Sequence, residues 1–298
     1  MKKLIICAIA FMTVLAFSAC NKEKDGVYKP DKKISKVYYS SESEKYLTEH
    51  WHWKKGKVSS IDYYNMSGSI NYTFNFEYNG KRLEKVVLAD EVDYYFKFSY
   101  DGKYLSKIEI YYEGILVEGG TVTHENNKIT EIAWELQDGK SYSDKSEKSK
   151  RFLKMKTTAM QLLFPDIDRE YCLQKIIQKN NAKAEKYNIT EKFKWNGNNI
   201  IEFALEDETG KDVLKLQYDN KKNPFCGYYG YYGSAGIGIY GGILYPHVIF
   251  SENNLVCEYN AQTPDKKIEY EYKYDGDWPI EKKSRSEYYS YTYYYEYE

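Results

Sequence analysis

Phe96-Lys97-Phe98-Ser99-Tyr100-Asp101-Gly102-Lys103-Tyr104-Leu105-Ser106-Lys107-Ile108 decides the fold. Up to Tyr100 every second residue is aromatic, the alternation of a strand with one apolar face. Asp101-Gly102 then supplies a tight hairpin turn, because glycine takes a positive φ without steric cost. The returning arm carries Leu105, Ile108 and Ile110. The step of three from Leu105 to Ile108 changes parity, so a regular strand would send them to opposite faces. The stretch therefore predicts a bulge or bend just after the turn.

The same unit stands upstream as Phe74-Asn75-Phe76-Glu77-Tyr78-Asn79-Gly80-Lys81-Arg82-Leu83-Glu84-Lys85-Val86. Looser copies run from His50 to Ile61 around Gly56, Val122 to Ile132 around Asn127, and Phe193 to Phe203 around Gly197. Others run from Leu214 to Phe225 around Asn220, Val248 to Val256 around Asn253-Asn254, and Tyr270 to Ile280 around Gly276. Adjacent turns recur about every 22–25 residues, a spacing typical of repeat architectures. Tyr289, Tyr291, Tyr293, Tyr295 and Tyr297 share one parity and predict a last strand. The fold class that follows is all-β: an antiparallel meander of repeated hairpins forming a strongly curved or barrel-like sheet. The rhythm breaks at the charged, Ser-rich stretch Ser141 to Lys150. Beyond it, Met160, Leu163, Ile167, Leu173, Ile176 and Ile177, with Pro165 near a helix start, predict one short helical insertion at 166–179 that caps or plugs the sheet.

Tyrosine dominates the aromatic content, with 35 Tyr against 5 Trp and 12 Phe, which suits a pleated surface. A net charge of −1 offers no basic field for nucleic acid.

Met1-Lys2-Lys3, the apolar run from Leu4 to Phe17 and Ser18-Ala19-Cys20 read as a secretory signal peptide, with an apolar core too short to span a membrane. Cys20 after Ser18-Ala19 resembles the lipobox of bacterial lipoproteins, which implies lipid attachment at Cys20; Phe17 stands where that pattern favours Leu. Polar Asn21 to Asp25 then makes a tether, and resembles the surface-export signal of Bacteroidetes lipoproteins. The expected organisation is a signal peptide at 1–19, lipidated Cys and tether at 20–33, and one β-repeat domain at 34–298. Such a chain is exported and lipid-anchored to the cell envelope, on the periplasmic or the surface side of the outer membrane. Three cysteines remain: Cys172, Cys226 and Cys257. Cys226 with Cys257 is the preferred pair in an oxidising compartment, with buried free thiols as the other reading.

The Tyr-Asp-Gly-Lys-x-Leu-x-Lys-Ile unit from Tyr100 to Ile108 resembles the YD repeats of the Rhs type. Together with Leu216 to Phe225 and Phe250 to Asn254, the arrangement resembles a family of Bacteroidetes lipoproteins that carries a domain of unknown function with a porin-like β fold. The likeness runs from about Ile34 onward. It implies a strongly curved antiparallel sheet of many strands and brings no catalytic residues.

Chemical motifs are sparse. Gly236-Ile237-Gly238-Ile239-Tyr240-Gly241 spells a dinucleotide fingerprint, but Gly242 to Pro246 is no helix start. Asp166-Ile167-Asp168-Arg169-Glu170 spells part of a glycosidase acid motif, yet the chain has no (β/α)₈ pattern, and acids in a first helical turn offset the macrodipole. His50 and His52 share a strand face as half a metal site, without a third ligand at a telling spacing. No cofactor and no metal are expected.

The leading expectation is a non-enzymatic cell-envelope lipoprotein, a binding or scaffolding module for a glycan or protein ligand. Most aromatic faces pack inside the curled sheet. Contact would fall on Trp51 and Trp53, or on the loop Gly227 to Gly242 through Tyr228, Tyr229, Tyr231 and Tyr232. The alternative is an outer-membrane β-barrel, with its aromatic face to lipid and its Lys/Glu face to a lumen. Against that stand repeat strands of about 6 residues, where a spanning strand needs 9–11, and a terminal Glu296-Tyr297-Glu298. A glycan-active enzyme ranks below both.

Overall fold

A computed structural model describes residues 28–40, 44–89, 94–112, 114–136, 188–207, 210–230, 246–285 and 290–298. Sixteen strands close into one antiparallel barrel in chain order, the first pairing with the last. They are β1 (Ile34–Ser40), β2 (Tyr46–Lys54), β3 (Lys57–Tyr64), β4 (Ile70–Asn79), β5 (Arg82–Leu88), β6 (Tyr95–Asp101), β7 (Tyr104–Tyr112) and β8 (Ile115–Glu125). Then follow β9 (Lys128–Leu136), β10 (Asn188–Asn196), β11 (Asn199–Asp207), β12 (Gly210–Lys222), β13 (Asn253–Asn260), β14 (Lys267–Asp275), β15 (Trp278–Arg285) and β16 (Ser290–Tyr297). A single short helix, α1 (Pro246–Phe250), lies between β12 and β13 among the described residues.

Each repeat unit is a hairpin with the same defect. In β6–β7, Ser99 pairs with Lys107 but Tyr100 pairs with Leu105, so Ser106 is the extra residue of a bulge. Ser59, Glu84, Thr130, Ile201 and Ile280 hold the equivalent place in their hairpins. The bulge sits just after the turn, where the parity change placed it. It turns Leu105 and Ile108, 1% and 0% exposed, to the same face. Gly80 and Gly102 occupy the first loop position with φ of 61° and 54°, the conformation that a side chain would strain.

Two of the looser copies prove to be halves of one hairpin. Tyr218 pairs with Leu255 as Tyr100 pairs with Leu105, but the turn between them is opened to admit residues 223–252. Of its described residues, Tyr228, His247 and Ile249 are buried inside the barrel. The Tyr228 ring lies 4.9 Å from Tyr28 and from Trp51, and 5.9 Å from Phe76. Phe225 packs on Tyr295, and Phe250 of α1 packs on Phe193. Strands β2, β4, β10 and β16 thus pack on the described residues of this plug.

Alternation fixes which face is the core. Phe74, Val86, Phe96, Ile108, Ile132 and Ile200 are all at most 1% exposed. The opposite face carries cross-strand ion pairs, such as Lys194 and Lys215 with Glu202, and Lys192 and Lys211 with Glu206. The aromatic face therefore points inward and is packed, which reverses the arrangement expected for a lipid-facing barrel. Strand length departs the other way. The strands run from 7 to 13 residues rather than about 6, because each hairpin arm continues past the repeat motif into the next pairing.

The six bulged repeat turns, at Gly56, Gly80, Gly102, Asn127, Gly197 and Gly276, share one rim. The irregular segment preceding Ile34, residues 28–33, crosses the same rim, tied by Lys32–Asp275 at 2.6 Å and Asp31–Lys222 at 2.7 Å. Cys226 and Cys257 both carry free thiols, so the preferred disulfide is not formed. The expected helix at 166–179, the signal peptide, Cys20, Cys172, the glycine fingerprint and the acid motif lie outside the described residues.

Candidate functional site

Three places among the described residues bring chemistry-bearing side chains together. The first is the aromatic cluster around Trp51. Trp51 alternates inward on β2 and is 1% exposed, stacked 6.4 Å from Trp53. Trp53 is half-buried and donates its indole N–H to the Ile34 carbonyl at 2.7 Å. Tyr228 is 2% exposed, and Tyr229 packs edge-on against Phe250 at 5.8 Å. Trp51 and Tyr228, expected on a contact surface, instead form the seat of the plug. Their aromatic area is spent on the core, as burial of such rings favours. Tyr231 and Tyr232 lie outside the described residues.

The second is a set of charged groups inside the wall. Glu258 projects inward from β13 and accepts the Tyr270 hydroxyl at 2.5 Å; its other oxygen lies 3.5 Å from His247 Nε2 of α1. Burial pushes the Glu258 carboxyl up, but His247, Tyr270 and Lys282 outweigh it and hold the group below the usual carboxylate value. Lys282, facing inward on β15, is pushed down to about 8 by burial, with Glu258 opposing. His247 is 0% and Glu258 5% exposed. An acid, a base and a phenol lie together at buried positions, where Glu258 takes the Tyr270 hydrogen bond and faces the charges of His247 and Lys282.

The third lies on the outer wall. His50 and His52 flank the inward Trp51, so both rings point out; their centroids are 4.3 Å apart. Asp62 on β3 is the cross-strand partner of His50. Its Oδ2 lies 2.7 Å from His52 Nε2, and its Oδ1 accepts the Thr73 hydroxyl at 2.7 Å. Burial leads in lowering the His50 imidazole, and the charges of His52 and Lys36 add to it while Asp62 opposes. One donor atom from each of His50, His52 and Asp62 falls within 4.8 Å of the others. The sequence showed the two histidines, but the carboxylate arrives from the next strand. The pattern of alternation that fixes the register of β3 was the available signal.

A cavity of about 540 Å³ opens beside the β4–β5 turn, lined by Asn79, Arg82, Leu83, Phe98 and Tyr100 among others. Lys81 and Glu84 complete its lining. On the outer wall, Tyr95 and Tyr111 stack at 4.7 Å, with the Lys85 ammonium 3.8 Å from the Tyr95 ring centre. Among the described residues no helix is long and apolar enough to cross a membrane.

No protein-family model matches the sequence, and no curated protein matches it. Solved structures do. The chain is similar to the crystal structure of a porin-like protein from Bacteroides uniformis, at 10% identity and a TM-score of 0.51, over 89% of this chain and 98% of that one. A porin-like protein from Bacteroides vulgatus matches at 8% identity and a TM-score of 0.33, over 90% of this chain and 99% of that one. The first likeness is one of fold: a closed barrel protein of the same architecture.

Proposed function

We propose that the chain is a non-enzymatic barrel protein of the cell envelope, a binding or scaffolding module held at the outer membrane by lipid on Cys20. In this reading the barrel is filled rather than open, and partners meet its outer wall and loops. The observation that carries it is the direction of the two faces. A barrel in lipid shows an apolar band outward. Here the outward face bears Lys97, Lys107, Lys192, Lys194, Lys215 and Lys273 with their carboxylates. Lysine at the bilayer midplane costs about 2–4 kcal/mol, falling toward the interfaces, so such a set opposes insertion by on the order of 10 kcal/mol. Inside, aromatic and aliphatic rows and the plug take the place of a lumen. The stacked Tyr95–Tyr111 pair with Lys85 offers a flat platform of the kind that suits a sugar ring or a protein side chain.

A second reading, an outer-membrane barrel, is favoured by the closed meander of strands 7 to 13 residues long and by the likeness to a porin-like protein. One experiment separates them. The chain lacking residues 1–20 is purified with and without detergent, then presented to a planar lipid bilayer. A monodisperse protein in plain buffer that carries no current supports the filled barrel. Dependence on detergent together with stepwise ion conductance would overturn it. For the anchor, incorporation of labelled fatty acid into the full chain and its loss in Cys20→Ser is the expected result.

A further inference from the structure

We propose that His50, His52 and Asp62 form a binding site for a divalent transition-metal ion of the zinc type on the outer wall of the barrel. The residues stand on two adjacent strands whose backbones are fixed by pairing on both sides: β2 by β1 and β3, β3 by β2 and β4. His50 and His52 share a face by strand alternation. Asp62 reaches the same face as the directly opposed residue, and His52 Nε2 already lies 2.7 Å from its Oδ2. All three donor atoms lie within 4.8 Å of one another. Bonds of about 2.0–2.2 Å to a central ion ask only for side-chain rotation on this rigid base.

The donor set selects the ion. Two imidazoles and one carboxylate suit zinc, copper or nickel, whereas calcium and magnesium want oxygen alone. Thr73 supports the carboxylate by donating to Oδ1, which leaves Oδ2 directed at the rings, the outer-shell arrangement that fixes a metal ligand. Side-chain exposures of 39% for His52 and 15% for Asp62 let an ion enter from solvent and leave a coordination position for water or a partner's donor. Lys36, across from His50 on β1, opposes the ion's charge, and Glu296 stands opposite Lys36 in turn.

The test is calorimetric titration of the full chain with zinc chloride, alongside His52→Ala, Asp62→Asn, Thr73→Val, Lys36→Gln and, as a control, His124→Ala. The wild type should take up one zinc ion more than His52→Ala or Asp62→Asn, or bind it at least tenfold more tightly. Thr73→Val should weaken binding severalfold and Lys36→Gln should tighten it, with His124→Ala unchanged. Zinc should also raise the melting temperature of the wild type and not that of His52→Ala, while all variants melt alike in chelator. Superimposable isotherms for wild type, His52→Ala and Asp62→Asn, or equal uptake of calcium and magnesium, would overturn the proposal.

Discussion

Tyr100 on β6 donates its hydroxyl to the backbone carbonyl of Leu83, the first apolar residue of the preceding hairpin's return arm, at 2.9 Å. The same lateral tie recurs from Trp195 to Ile129 at 2.7 Å, Tyr272 to Leu255 at 2.8 Å, Tyr297 to Pro279 at 2.6 Å and Trp53 to Ile34 at 2.7 Å. The bulge explains the need. It interrupts the ladder at Glu84, and a side chain from the next hairpin covers the carbonyl of Leu83 beside it. Aromatic residues with a polar tip thus do two tasks at this level of the barrel, filling the core and satisfying the backbone. Tyr100→Phe should lower stability by about 1–2 kcal/mol in urea unfolding. Tyr104→Phe, whose hydroxyl meets Asn127 at the surface, should stay within about 0.5 kcal/mol.

The bulge assigns neighbouring isoleucines to opposite fates. Ile200 is 0% exposed and Ile201 is 41% exposed. Ile201→Lys, and likewise Ile280→Lys, should leave the urea midpoint nearly unchanged, within about 0.5 kcal/mol. Ile200→Lys should cost on the order of 4 kcal/mol or prevent folding, since it buries an unpaired charge. Equal losses at positions 200 and 201 would mean that the bulge is misplaced.

Gly230 seats the plug against the wall. A Cβ there would stand 2.6 Å from Phe76 Cε1 and 3.1 Å from the Tyr228 ring. Gly230→Ala should therefore destabilise by about 1–3 kcal/mol through overpacking. Faster proteolysis within the insertion than in the β-hairpins, read by mass spectrometry, would locate the damage. Gly102→Ala has open space around it, and should cost about 1 kcal/mol through its positive φ alone.

Glu49 gives stability a pH dependence. It faces inward on β2 opposite Tyr63, accepts the Trp51 indole N–H at 2.7 Å and lies near Tyr293. Burial pushes its carboxyl from 4.5 up to about 7, with the Trp51 hydrogen bond opposing. The folded chain holds this proton more tightly than the unfolded chain. Its contribution is thus full below about pH 4.5 and is lost as pH rises through 7. Glu49→Gln should flatten that decline and stabilise the protein at pH 8 by about 1–2 kcal/mol. A melting temperature that falls equally for both proteins between pH 5 and 8 would count against this assignment.

The hairpin and its bulge were legible around Tyr100 because both depend on residues within a dozen positions of each other. The inward direction of the aromatic faces was legible too, since charges alternate with Phe96, Phe98 and Tyr100. Closure was not, because Tyr38 reaches Glu296 across 258 positions and neither residue signals the other. The split hairpin hid for a related reason: Tyr218-Asp219-Asn220 and Asn253-Asn254-Leu255 each resemble half a turn, and only their pairing reveals one unit. Tyr228 lies among glycines, which read as a loop whether the segment points outward or into the barrel. At the outer-wall cluster, Asp62 became a neighbour of His52 only through a register that the bulge at Ser59 shifts by one.

The seam between β1 and β16 has a kinetic meaning. Ile34 meets Tyr297 only after everything between them has been made, so the pairing that removes the last free edges carries the greatest loop-closure cost. Until then the Tyr-rich run from Tyr291 to Tyr297 is an unpaired strand edge of high β propensity, the kind that recruits other chains. Folding and self-association compete for that strand, and slow arrival of β1 favours the second. Lysine substitutions at outward Thr292 or Tyr294 should protect the chain during refolding more than they alter the finished barrel.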